Sequence, residues 1–286
     1  MLFVQSKFRL FDLFGIPIYL DLSLVILLLF FLGGGGSVWS GILCALMLLA
    51  SITLHELGHA LTARAFGYQT RDITLSLLGG CASLIALPRK AFQEFLTAVA
   101  GPAVSFILSF LGMVGIAAAA ESGGIADAAG LVVAEALGAF GLDVDLGGGV
   151  YVTGDSVMFV GTMLYLAVMN MMLGIFNMLP GFPMDGGRVF RSAMRPFMSR
   201  VRATYIAMVV GRVVAVGIGL RGFWSLVHGG NWGLVTMLIA WMIWREGYRE
   251  YVQARMESSW AYSDYRAKVS PPPYGGEGDE RGVDRL

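Results

Sequence analysis

Six long apolar stretches, at residues 16–32, 38–66, 95–120, 157–179, 203–220 and 232–244, constrain this chain more than any other feature. About 20 consecutive apolar residues suffice to cross a bilayer as a helix, which satisfies its own backbone hydrogen bonds where no water is present. Hydrophobic residues make up 56% of the 286 positions and charged residues 14%, a composition outside the ordinary soluble range. The expected class is an all-α polytopic membrane protein with six transmembrane helices. The last stretch is short, and reads as a partial span or as one that begins near Phe223. Lys7 and Arg9 before the first stretch resemble the start of a signal peptide. That stretch ends in four glycines without a small-x-small cleavage pattern, so it reads as a span.

The formal net charge of zero provides no basic field, and nucleic acid is not an expected partner. Position is more telling than balance. Lys7 and Arg9 precede the first stretch; Arg64, Arg71, Arg89 and Lys90 follow the second; Arg188, Arg191, Arg195, Arg200 and Arg202 follow the fourth; Arg245, Arg249 and Arg255 follow the sixth. Residues 33–37 carry no base, and 121–155 carry only acids. Basic loops stay on the cytoplasmic side, which puts both termini there, in the cell membrane. Cys44 and Cys81 are too few for a disulfide framework or a cysteine-rich metal site.

Between the second and third stretches, Ile73, Leu75 and Leu77 alternate with Thr74 and Ser76, and after Gly79-Gly80 come Ala82, Leu84 and Ala86. Period two around a Gly-Gly turn predicts a small membrane-associated β-hairpin over about 70–88. Residues 121–155 read as an outer loop, and 1–248 as the six-span membrane core. Residues 249–286 form a cytoplasmic tail, helical to about Arg266 and disordered beyond the prolines at 271–273.

The second stretch contains His55-Glu56-Leu57-Gly58-His59, the H-E-x-x-H pattern. On a helix, positions i and i+4 share a face, so two imidazoles can grip one zinc ion. Glu56 is turned toward the same cavity, where a carboxylate can take a proton from an attacking water and pass it to a leaving amine. Mere packing is a poor rival, because polar groups at bilayer depth are costly. A hydrolytic zinc needs a third protein ligand and an open position. The best candidate is Asp185, which follows Pro180 and Pro183 just past the cytoplasmic end of the fourth stretch and precedes Gly186-Gly187-Arg188. An aspartate capping a helix or paired with an arginine is the alternative there.

HELGH paired with Asn177-x-x-Pro180-x-x-Pro183-x-Asp185-Gly186-Gly187 resembles the site-2 protease family of intramembrane metalloproteases. The likeness extends over about 14–244, through Gly15-Ile16-Pro17, Gly79-Gly80, Glu94-Phe95, Ala100-Gly101-Pro102 and Asn170. It implies that His55, His59 and Asp185 hold Zn2+ and that Glu56 is the base. It also implies that the substrate is the transmembrane helix of a single-span protein, unwound before cleavage. An extended segment can add to a hairpin edge, which makes Gly79 and Gly80 candidate substrate contacts. The resemblance gives the same role to Asn170 and Asn177, seven residues apart and nearly on one helix face, with interhelical hydrogen bonding as the alternative for each.

Two departures stand out. Ser105 occupies a position where the family often has asparagine, and neither PDZ nor CBS domains have room, so regulation is expected from the lipid bilayer, the substrate or a membrane partner. Rival readings are a metal transporter or sensor built on the histidine pair, and another H-E-x-x-H membrane peptidase with a different third ligand. Arg212, inside the fifth stretch, is read first as a packing residue that pairs with a backbone group or a carboxylate inside the bundle, with a gate on access as the alternative. Cys81 is assigned to packing.

Overall fold

The computed structural model describes residues 7–22, 24–25, 38–76, 79–85, 90–120, 124–139, 156–229 and 233–269. It is mostly helical with one small sheet. Four helices among these residues are long and apolar enough to cross a membrane: α1 (Val38–Ala65), α2 (Ala91–Ala119), α4 (Ser156–Asn177) and α6 (Arg200–Val227). At about 1.5 Å per residue even the shortest reaches roughly 33 Å, against a hydrocarbon core of about 30 Å.

The other two expected spans are not confirmed among the described residues. Residues 16–21 of the first form a strand, and the rest of that stretch beyond residue 25 lies outside the described residues. The sixth opens α7 (Gly233–Val269), which turns polar at Arg245 and contains no comparable apolar window. Residues 121–155 are not loop throughout. They include α3 (Ile125–Ala139), whose Ala128, Val132 and Ala136 fall at helical spacing and are buried, the first two against Met113, Ile116 and Val160.

The sheet corrects both the all-α class and the isolated hairpin. Strands β1 (Lys7–Leu13), β2 (Ile16–Asp21), β3 (Thr70–Ser76) and β4 (Gly79–Leu84) lie in that spatial order. β1–β2 and β3–β4 are antiparallel and β2–β3 is parallel. Phe14 (φ 52°) and Gly15 (φ 77°) both have positive φ, the combination that matches a two-residue hairpin turn to strand twist. Residues 16–21, the first part of that apolar run, are therefore a strand. Ser76 pairs with Gly79, so the glycine pair belongs to β4, and residues 77 and 78 lie outside the described residues.

Ile16, Ile18, Ile73 and Leu75 on one sheet face are almost fully buried with Leu48, Ile52, Leu57 and Ala60 of α1. That packing fixes the sheet against the helix bearing the histidine pair. α4 ends at Asn177, as Pro180 requires, and after a short turn α5 (Asp185–Met194) begins at the aspartate. α6 and α7 run antiparallel, from the close Gly222–Gly233 crossing to the Arg200–Glu257 ion pair of 2.8 Å.

Candidate metal and active site

His55, Glu56 and His59 are 2%, 6% and 6% exposed on α1, and Asp185 is 8% exposed at the start of α5. Asp185 Oδ2 lies 3.1 Å from the Nε2 of each histidine, and the two Nε2 atoms are 3.3 Å apart. A tetrahedron with bonds of about 2.05 Å, the length of a zinc–nitrogen bond, has edges of about 3.3 Å. The donor triangle thus fits three corners of one zinc-sized tetrahedron, and His55, His59 and Asp185 are positioned to bind a metal ion. Burial tends to raise the Asp185 carboxyl. The two imidazoles and Arg188 outweigh it and hold the group well below the usual carboxylate range.

The far side of each imidazole is tied down. His59 Nδ1 donates to the Thr97 carbonyl oxygen at 2.7 Å, and His55 Nδ1 meets Ser105 Oγ at 2.8 Å, both partners lying on α2. These contacts set ring orientation and turn both Nε2 atoms toward the shared point. Neither partner was identified from the sequence. The signal available was Ser105 itself, where the resemblance suggested an amide: the hydroxyl that stands there supports a ligand. Replacing Ser105 by Ala is expected to weaken zinc affinity by about 10–100-fold with the fold retained, read by competition with a chelating dye.

Two glycines make the room. A Cβ at Gly101 of α2 would run into His59 Nε2 and come within 2.8 Å of His55 Nε2. A Cβ at Gly80 of β4 would strike the Glu56 side chain. Gly80 therefore brings strand backbone against the Glu56 carboxylate. Glu56 lies in a cavity of about 270 Å³ with the three metal-site residues, Gly80, Asn177 and Arg188. The arrangement combines a metal cradle, an adjacent carboxylate and space for a small part of a peptide.

A profile of peptidase family M50 matches residues 43–218, including the histidine pair and Asp185. The chain belongs to peptidase family M50. It is 32% identical to a putative zinc metalloprotease of Synechocystis sp., over 84% of this chain and 59% of that protein. It is 31% identical to a zinc metalloprotease of Methanocaldococcus jannaschii, over 78% of this chain and 56% of that one. For the putative zinc metalloprotease Rip3 of Mycobacterium tuberculosis the values are 33%, 76% and 46%. The chain thus spans about half the length of these curated relatives. Its fold matches the solved site-2 protease from Methanocaldococcus jannaschii with a TM-score of 0.56 and 26% identity, over 86% of this chain and 95% of that chain. Family membership and the apolar helices together make this an integral, multi-pass membrane protein.

In this M50 chain the expected substrate contacts are distributed unevenly. Asn177 and Gly80 line the cavity, and Gly79 pairs with Ser76 at the start of β4. Asn170 does not reach the cavity. It is fully buried and donates to Ser51 Oγ at 2.9 Å, joining α4 to α1 one helical turn before His55. Sequence reasoning also missed what anchors Asp185. Arg191 of α5, 2% exposed, donates from Nε to Glu94 Oε1 of α2 at 2.7 Å and lies 4.9 Å from the Phe182 ring centroid. Its Nη1 is 3.5 Å from Glu250 of α7, and Arg195 holds the other Glu94 oxygen at 3.2 Å. A buried pair of this kind resists loss of either member, because the remaining charge would be stranded. Both members of the pair were legible as charges, but no local spacing rule links Glu94 to a position 97 residues away.

Proposed function

We propose that this chain is a zinc-dependent protease that hydrolyses peptide bonds of transmembrane-helix substrates near the cytoplasmic face. The observation that carries the reading is the His55–His59–Asp185 triangle at tetrahedral-edge distances, with Glu56 in the same cavity. Two imidazoles and one carboxylate are a donor set suited to zinc, and three protein ligands are the number found at hydrolytic centres. Zinc held there supplies Lewis acidity, polarising the scissile carbonyl and lowering the pKa of water. Glu56 takes a proton from the attacking water on its carboxylate and delivers it to the leaving amine nitrogen.

A helical substrate has its carbonyls committed to its own hydrogen bonds, so attack needs an extended segment. β4 is an edge strand in the sheet order and its Gly80 lines the cavity, which suits strand addition by such a segment. Gly79 and Gly80 would flank it on one side and the Asn177 amide on the other. Asn170 then serves the site indirectly, by fixing α1 against α4. Arg64 in the last turn of α1, Arg188 beside the site and Arg200 at the start of α6 support a cytoplasmic placement of this end of the bundle, with both termini on that side.

The reading is tested with the purified chain in liposomes containing a single-span reporter. A chelator should abolish cleavage and added zinc should restore it; cleavage that continues undiminished in chelator defeats the proposal.

A further inference from the structure

Arg212 is a cation within the membrane helix α6, a costly placement unless the charge has a partner or a task. Among the described residues it meets neither a backbone acceptor nor a carboxylate. Its guanidinium lies over the Trp244 ring, 4.6 Å from the centroid, and 5.7 Å from that of Tyr248, both on α7. Its Nε is buried without a hydrogen-bond partner. Arg245 repeats the pattern, 5.4 Å from the Trp241 centroid, and also lacks an ion pair among the described residues. The acids on this part of α7 are committed to other arginines: Glu246 to Arg249, Glu250 to Arg188 and Arg191, and Glu257 to Arg200.

Trp241, Trp244, Arg245 and Tyr248 recur at i, i+3, i+4 and i+7, so they share one face of α7, and the three aromatic residues are 56%, 44% and 52% exposed. Tryptophan and tyrosine concentrate at the headgroup level of a membrane. A guanidinium stacked on a ring keeps its N–H edge free for a phosphate. Exposed Leu234 and Leu238 continue the same face toward the apolar start of α7, as an acyl chain would require.

We propose that Arg212 and Arg245 bind the headgroup of an anionic phospholipid, seated on Trp241, Trp244 and Tyr248 with its acyl chain along Leu234 and Leu238. Two unpaired positive charges complement a phosphate that carries net charge, favouring an anionic over a zwitterionic lipid. The site does not use the metal-site residues and is independent of the proposed protease activity.

Native mass spectrometry of the purified full chain, with phosphatidylglycerol and phosphatidylcholine of matched acyl chains, tests this. The unaltered chain should retain one phosphatidylglycerol at least about tenfold better than phosphatidylcholine. Arg212→Gln with Arg245→Gln should bring retention down to the phosphatidylcholine level, and excess inorganic phosphate should not displace the lipid. Arg245→Gln alone, at an exposed position, should lower retention several-fold even where the double variant fails to fold. Arg249→Gln should leave it unchanged. Equal retention of the two lipids by the unaltered chain, full retention by the Arg245→Gln variant, or displacement by inorganic phosphate overturns the proposal.

Discussion

Replacing Glu56 by Gln is expected to lower cleavage of a single-span reporter by about 10²–10⁴-fold, the usual contribution of a positioned acid–base group, without reducing bound zinc. The two parts of that result have separate causes. Glutamine has nearly the shape of glutamate, so it fits the space that Gly80 leaves beside the side chain. It cannot accept and return a proton at neutral pH. Glu56 is not among the three residues whose donor atoms converge, so the metal cradle should persist. Parallel zinc analysis and a cleavage assay on the same preparation check both parts. Unimpaired cleavage would remove Glu56 from the mechanism, and loss of zinc would make it a ligand.

Asp185→Ala should have the second large effect, acting on the metal itself. Its Oδ2 is 3.1 Å from both imidazole nitrogens, and it is the member of the group that comes from outside α1. Without it two donors remain, so zinc affinity should fall by more than the roughly 10–100-fold expected for a supporting contact, and cleavage should drop below detection. Stabilisation by zinc should disappear too, since a ligand at about 100 times its Kd adds about 2.7 kcal/mol to the folded state. A melting curve with and without zinc measures this. The Arg191–Glu94 pair should keep α5 in place, separating lost ligation from lost fold. A variant that still binds zinc tightly would revive the reading with another third ligand.

The parts of this site that a short-range rule governs were legible in the sequence. Helix geometry alone puts His55 and His59 on one face, and the proline-interrupted end of α4 marks Asp185 as a residue just past that helix, where the structure starts α5. What supports those residues was not legible. Thr97 and Ser105 sit on α2, and the contact from Ser105 to His55 crosses 50 residues of sequence. Asn170 is a different case: helix periodicity put it near the face of Asn177, and of the two readings open to it the structure has the interhelical hydrogen bond, its amide donating to Ser51 across the α1–α4 interface. At residues 16–21 a short apolar run was compatible with either helix or strand, and length was weak evidence because the run continued. The deciding signal lay just upstream, where Phe14-Gly15 turns the chain back and lets β1 pair with β2.

X-ray absorption at the zinc edge of the purified protein addresses most directly whether α1 and α5 share one ion. The expected spectrum contains two imidazole nitrogens and one carboxylate oxygen from the protein at about 2.0–2.2 Å, and Asp185→Ala removes the carboxylate contribution. A spectrum that Asp185→Ala leaves unchanged, or one dominated by sulfur or by more than two imidazoles, would contradict the shared site.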